Sequence, residues 1–263
     1  MKSSWLVLSV ALAGCAVDGL DELESVELSE EEQAVRASNR LASNRLASNR
    51  LASNRLASNS LGAAALTSSA LIETADGREV FSYIVNCALP ENQSLSVADS
   101  AGTSYEFTGE IGLAPNWATN TPTVAERRWV TACLLARTNY YGVPVQISMR
   151  GSHAALSATH GETSVFNVAE GAFYGDLFDD REQSWFACGS KRYTTALAAD
   201  AQRTCTISQN GVTTMCGFTY THFCGTALDP SHPAACGNSK TPWTTCSGGG
   251  ESWSEVITIF LPS

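Results

Sequence analysis

His160, Glu162, Glu170 and Asp176 come closest in this chain to a catalytic set. Two carboxyl groups facing one cleft at about 5 to 9.5 Å can act as acid and base, or acid and nucleophile, on a glycosidic bond. The stretch Glu170-Gly171-Ala172-Phe173-Tyr174-Gly175-Asp176 sets two acids around two aromatics and two glycines, as a shallow cleft would. The same residues read more simply as a turn, the glycines supplying positive φ and the rings packing inward. The sequence carries no H-E-x-x-H, G-x-S-x-G, S-x-x-K, P-loop or G-x-G-x-x-G motif.

Thiols are the other reactive groups. Of nine cysteines, Cys15 stands alone near the N-terminus, leaving Cys87, Cys133, Cys188, Cys205, Cys216, Cys224, Cys236 and Cys246. An even set in an exported chain reads as a disulfide framework, so four bridges are expected. Cys87 and Cys133, both in the N-terminal half, are natural partners. Asn210-Gly211 predicts a tight hairpin that sets Ile207 opposite Thr214 and Cys205 opposite Cys216. A direct bridge there competes with bonds from each thiol to Cys188 or Cys224. His222 near Cys224 and His232 near Cys236 offer the mixed N/S ligands zinc prefers. No C-x-x-C pair supports that reading, and neither a metal nor a cofactor is expected.

The N-terminus supplies the case for export. Lys2 precedes an apolar run from Trp5 to Ala13, shorter than the roughly 20 residues a membrane-spanning helix needs and of signal-peptide character. The run ends in Leu12-Ala13-Gly14-Cys15. This motif resembles the lipobox of bacterial lipoproteins. The resemblance covers about the first sixteen residues and implies cleavage before Cys15, acylation of its thiol and anchoring to a membrane. Ala16 in place of Asp implies, by the Gram-negative sorting rule, the outer membrane, with the domain periplasmic or surface-exposed. The whole layout resembles the cysteine-rich lipoproteins of Gram-negative envelopes.

The expected organisation is a signal peptide over 1–14, a tether over 15–70 and a globular domain over 71–263. The tether opens with eight carboxylates between Asp18 and Glu32 and continues with four perfect copies of Arg-Leu-Ala-Ser-Asn from Arg40 to Asn59. A five-residue period rotates successive leucines by about 140° in a helix and alternates their face in a strand. Neither gives an apolar side, and the composition is that of a disordered stalk with a reach of roughly 40 Å.

From Glu73 onward 18 acidic residues stand against 10 basic ones, a net of minus eight. Nucleic acid is excluded as a partner, because a polyanion needs clustered cations. Strands are predicted near Glu79–Cys87, Ser104–Thr108, Val145–Arg150, Ser164–Val168, Trp185–Cys188, Arg203–Ser208, Thr213–Phe218 and Val256–Leu261. One helix is predicted over Pro122–Asn139, from the capping box Thr123-Val124-Ala125-Glu126 and apolar residues at three and four. The expected fold is mainly β, an antiparallel sandwich, or else α+β with that one helix.

The function this favours is a surface-displayed binding module for a glycan, a peptide or another envelope protein. Trp117, Trp185, Trp243 or Trp253 would carry the contact if exposed. A secreted polysaccharide or peptide hydrolase using the acidic residues is the alternative, and a purely structural coat lipoprotein a third.

Overall fold

A computed structural model describes residues 41–42, 56–63, 66–67, 69–237 and 241–263. The signal peptide, Cys15, the acidic block and most of the repeat tract lie outside the described residues. In chain order the elements are β1 (Leu41–Ala42), α1 (Ala70–Glu73), α2 (Ala75–Ala88), β2 (Ser94–Ala98), β3 (Ser104–Thr108), α3 (Val124–Ala136), β4 (Thr138–Asn139) and β5 (Ser148–Arg150). There follow α4 (His160–Val165), β6 (Phe166–Asp176), β7 (Ser184–Gly189), α5 (Thr195–Asp200), β8 (Thr219–Phe223), β9 (Cys246–Gly248), β10 (Glu251–Trp253) and β11 (Ile257–Pro262).

Five strands form the central sheet in the order β5-β11-β6-β7-β8. Its pairs are antiparallel except β7 with β8. Because side chains alternate along a strand, the sheet feeds two cores. Phe173, Ala187, Ile257 and Ile259 enter the larger one, with Val80, Phe81 and Ile84 of α2 and Val130 and Leu134 of α3. Ala172, Tyr174, Phe186 and Cys188 enter a smaller one with Trp243, Trp253, Cys224, Cys236 and Cys246.

The architecture is therefore helices, sheet, then a layer of loops with the small β9–β10 hairpin. Beyond that two-stranded hairpin no sheet covers the far face among the described residues, so the sandwich expectation gives way to α+β, with 29% strand, 27% helix and five helices. The predicted helix appears as α3, closed by the expected box: Thr123 Oγ1 accepts the Glu126 N–H at 3.2 Å and Glu126 Oε2 accepts the Thr123 N–H at 2.7 Å.

Two local expectations are corrected. Glu79–Cys87 is the body of helix α2, not a strand. A short apolar run does not separate a buried strand from a buried helix, and here the less buried Arg78, Glu79, Ser82 and Asn86 recur at helical spacing. Thr74 caps the helix through Gly77 N at 3.0 Å. Gly77 is required, since a Cβ there would lie 2.0 Å from the Ala70 carbonyl oxygen. In the Asn210 hairpin the register moves by one, with Ser208 opposite Thr214. The Asn210 side chain accepts both Val212 N at 3.0 Å and Thr213 N at 2.7 Å, turning a two-residue turn into a longer Asx loop. Only isolated bridges form where strands were predicted over Arg203–Ser208 and Thr213–Phe218.

All eight cysteines pair, as Cys87–Cys133, Cys188–Cys224, Cys205–Cys216 and Cys236–Cys246. The first joins α2 to α3 under the helical layer; the second and fourth hold the loop layer. Leu56, Leu61 and Leu66, upstream of the expected boundary at residue 71, are fully buried in the larger core.

Candidate functional site

Strand β6 sets the positions of the expected catalytic residues, and it separates them. His160 is exposed in the first turn of α4, while Glu162 in the same turn is fully buried near Arg150, with no hydrogen bond to either carboxylate oxygen. Glu170 occupies the irregularity where the β6–β11 register shifts between Ala169 and Gly171. It forms a fully buried ion pair with Arg203, whose other nitrogens donate to the Thr138 and Ala136 carbonyls at 2.8 and 2.6 Å. Burial pushes the Glu170 carboxyl above its ordinary range and the guanidinium pulls it back. Asp176 ends the strand six residues later. At about 3.3 Å per residue the two acids stand roughly 20 Å apart, too far to share a glycosidic bond. The stretch expected as a turn is core strand, and Asp176 at its end lines a cleft.

That cleft, of about 370 Å³, lies between α3, the start of β7 and the β9–β10 hairpin; its walls include Arg128, Asp176, Asp179, Arg181, Glu182, Ser184 and Glu251. Its base is aromatic. Tyr174 stacks on Phe186 at 5.6 Å between centroids, and Trp253 packs against Phe186 at 5.8 Å. The hairpin lies flat on this base because Gly248 has no side chain; a Cβ there would come 2.8 Å from the Phe186 ring. Trp253 Nε1 donates to the Gly248 carbonyl at 3.1 Å and the Tyr174 hydroxyl to the Ser247 carbonyl at 2.8 Å, so ring and hairpin are mutually fixed.

The charged groups are held to different degrees, Asp176 and Asp179 most firmly. Asp176 accepts from Arg127 Nη2 and from Phe178 N, both at 3.0 Å. Burial raises its carboxyl above the ordinary value against the pull of Arg127. Asp179 accepts backbone N–H groups from Arg181 at 2.9 Å and Glu182 at 3.3 Å, and the Arg181 bond leads in lowering its carboxyl. The Arg128 guanidinium sits 4.4 Å above the Trp253 ring and reaches Glu251 at 3.4 Å, while its buried Nε has no partner. Four carboxylates thus face two guanidinium groups around an aromatic base, an arrangement that offers donors and acceptors to a polar ligand.

The tryptophans do not carry it by exposure: Trp117, Trp243 and Trp253 are buried and Trp185 is half-buried. Sequence reading missed Arg128, Asp179, Glu182 and Glu251. The available signals were the charged run Asp179-Asp180-Arg181-Glu182 and the triple glycine Gly248-Gly249-Gly250. A larger cavity of about 860 Å³ is lined by Asn167, Lys191, Arg192, Leu197, Thr226 and Trp243 among others, and none of the acidic candidates reaches it. The imidazoles weighed as zinc ligands lie together, His222 against His232 at 4.4 Å, while Cys224 and Cys236 are each held in a disulfide.

No protein-family model matches this chain, and neither a curated protein nor a solved structure matches it. Fold and site together define the class: a disulfide-stapled α+β domain with a charged cleft at the end of its central strand.

Proposed function

We propose that this chain is a lipid-anchored protein of the outer membrane whose globular domain is a binding module, holding a hydroxyl-rich ligand such as an envelope glycan in the cleft beside Asp176. The lipobox-like Leu12-Ala13-Gly14-Cys15 supports the address. The observation that carries the binding reading is the cleft itself, within the ~300 to 1,000 Å³ of ligand sites, with charged donors and acceptors arranged around Phe186 and Trp253. Membrane attachment is tested by the intact mass of the membrane-extracted protein, which should show a lipid increment on a chain starting at Cys15. Ligand binding is tested by calorimetry against neutral, acidic and basic oligosaccharides. Binding of one class that is lost in Asp179→Asn and Glu182→Gln supports the reading, and silence across the panel overturns it.

One observation favours the hydrolase as second reading. Asp176 and Asp179 line the same cleft and are shifted in opposite directions, up and down, the pattern expected of an acid beside an ionised partner. Release of reducing sugar by the wild type but not by Asp176→Asn would select it.

A further inference from the structure

We propose that the Arg-Leu-Ala-Ser-Asn copies are interchangeable occupants of one seat on the domain, so that the number of residues upstream of the seat is adjusted in steps of five. The seat is visible with one copy in it. Leu56 is fully buried, Ala57 packs against the same core, and the Asn59 carbonyl accepts the Trp117 indole N–H at 3.0 Å. Just beyond, Leu61 N donates to the Trp117 carbonyl at 2.9 Å and Gly62 N to that of Ala118 at 3.3 Å.

Every group the seat uses is present in each upstream copy. Leu51-Ala52-Ser53-Asn54, Leu46-Ala47-Ser48-Asn49 and Leu41-Ala42-Ser43-Asn44 offer the same leucine, the same small residue and the same Asn carbonyl. The leucine period also continues past the repeats: Leu61, Leu66 and Leu71 follow at five-residue intervals and all are buried with Leu56. A shift by one copy puts Leu51 and Asn54 on the places of Leu56 and Asn59, and the five surplus residues leave as a loop ahead of Leu61, which keeps its own place. Lengthening a surface loop costs little entropy. A second contact shows that the copies are not private to one place, since Leu41–Ala42 runs parallel to Thr138–Asn139 on the same domain. Strict identity of the copies is what such exchange requires. The inference does not rest on the cleft or on its ligand.

The test is non-additivity in the full chain, read by urea denaturation. Leu56→Ser alone should reduce the folding equilibrium constant by less than about fivefold, because Leu51 takes the seat. With Leu41, Leu46 and Leu51 already changed to Ser, the same substitution should cost roughly 100-fold, as loss of a buried leucine does, while the triple change alone leaves stability unaltered. Leu56→Ala serves in both backgrounds if the quadruple serine variant does not fold. An equal cost of the Leu56 substitution in the two backgrounds overturns the proposal. So does rescue that grows with protein concentration, which would mean that a second molecule supplies the copy.

Discussion

Cys188 and Cys236 belong to different disulfides, yet their Sγ atoms lie 3.5 Å apart. With Cys224 they form a group of three buried sulfurs all within 4.8 Å of one another. The Cys188–Cys224 and Cys236–Cys246 bridges therefore work as one knot between β7 and the loop layer, and either sulfur of the close pair can serve the other.

Removing the outer partners should reveal this. In a Cys224→Ser, Cys246→Ser variant the two remaining thiols of the knot are expected to bond, giving a Cys188–Cys236 bridge and three disulfides in all. Peptide mapping without reductant would find that crosslink; two alkylatable thiols would show the close approach to be passive.

The Glu170–Arg203 pair offers a second expectation. Removing one member of a buried ion pair leaves an uncompensated charge and costs about 3 to 5 kcal/mol. Glu170→Gln should fall in that range, since Arg203 stays buried against the Ala136 and Thr138 carbonyls. The double variant Glu170→Gln, Arg203→Met should cost less than the sum of the singles. A double-mutant cycle by urea unfolding measures the difference.

Helix α3 should depend on its cap. Thr123→Ala removes the acceptor of the Glu126 N–H and is expected to cost about 1 kcal/mol. Because Arg128 of this helix lines the cleft and Arg127 holds Asp176 in its wall, calorimetric affinity for any cleft ligand should fall with it.

Asp229 gives a pH signature. Its carboxylate accepts from the Ser231 hydroxyl, the Ser231 and His232 N–H groups and the His232 ring, and these bonds, led by that of the Ser231 hydroxyl, hold it down at about 2 from an ordinary 3.8. A depressed carboxyl favours the folded turn while ionised, so the contribution is full above about pH 4 and is lost as pH falls through about 2. Carboxyl-detected NMR should place the midpoint near 2 and move it upward in Ser231→Ala.

What could be read in advance was local. Thr123 and Glu126 announce α3 because a capping box is complete within four residues, and Cys87 and Cys133 pair because no competing thiol lies near them in sequence. The partners of Cys188 and Cys236 were not readable, since they depend on how β7 meets a distant loop. Helix α2 was mistaken for a strand because its apolar residues face two neighbours at once. Leu56 reads as stalk because the core that buries it is assembled from residues far along the chain. The cleft draws Arg128, Asp179 and Glu251 from three separate segments, and of its lining residues only Asp176 and Trp253 are marked as site candidates by the sequence pattern.

The segment from Cys224 to Cys246 contributes no helix and no ladder strand among the described residues before β9, and two crosslinks stand in for them. A covering fastened at points can be redrawn between those points. Lengthening or shortening the spans on either side of Cys236 would change the outward contour of the molecule while β6 and β7 keep their register. This face is where the protein has room to diversify, and the helical face, whose α2 and α3 are packed along their length, is where it does not.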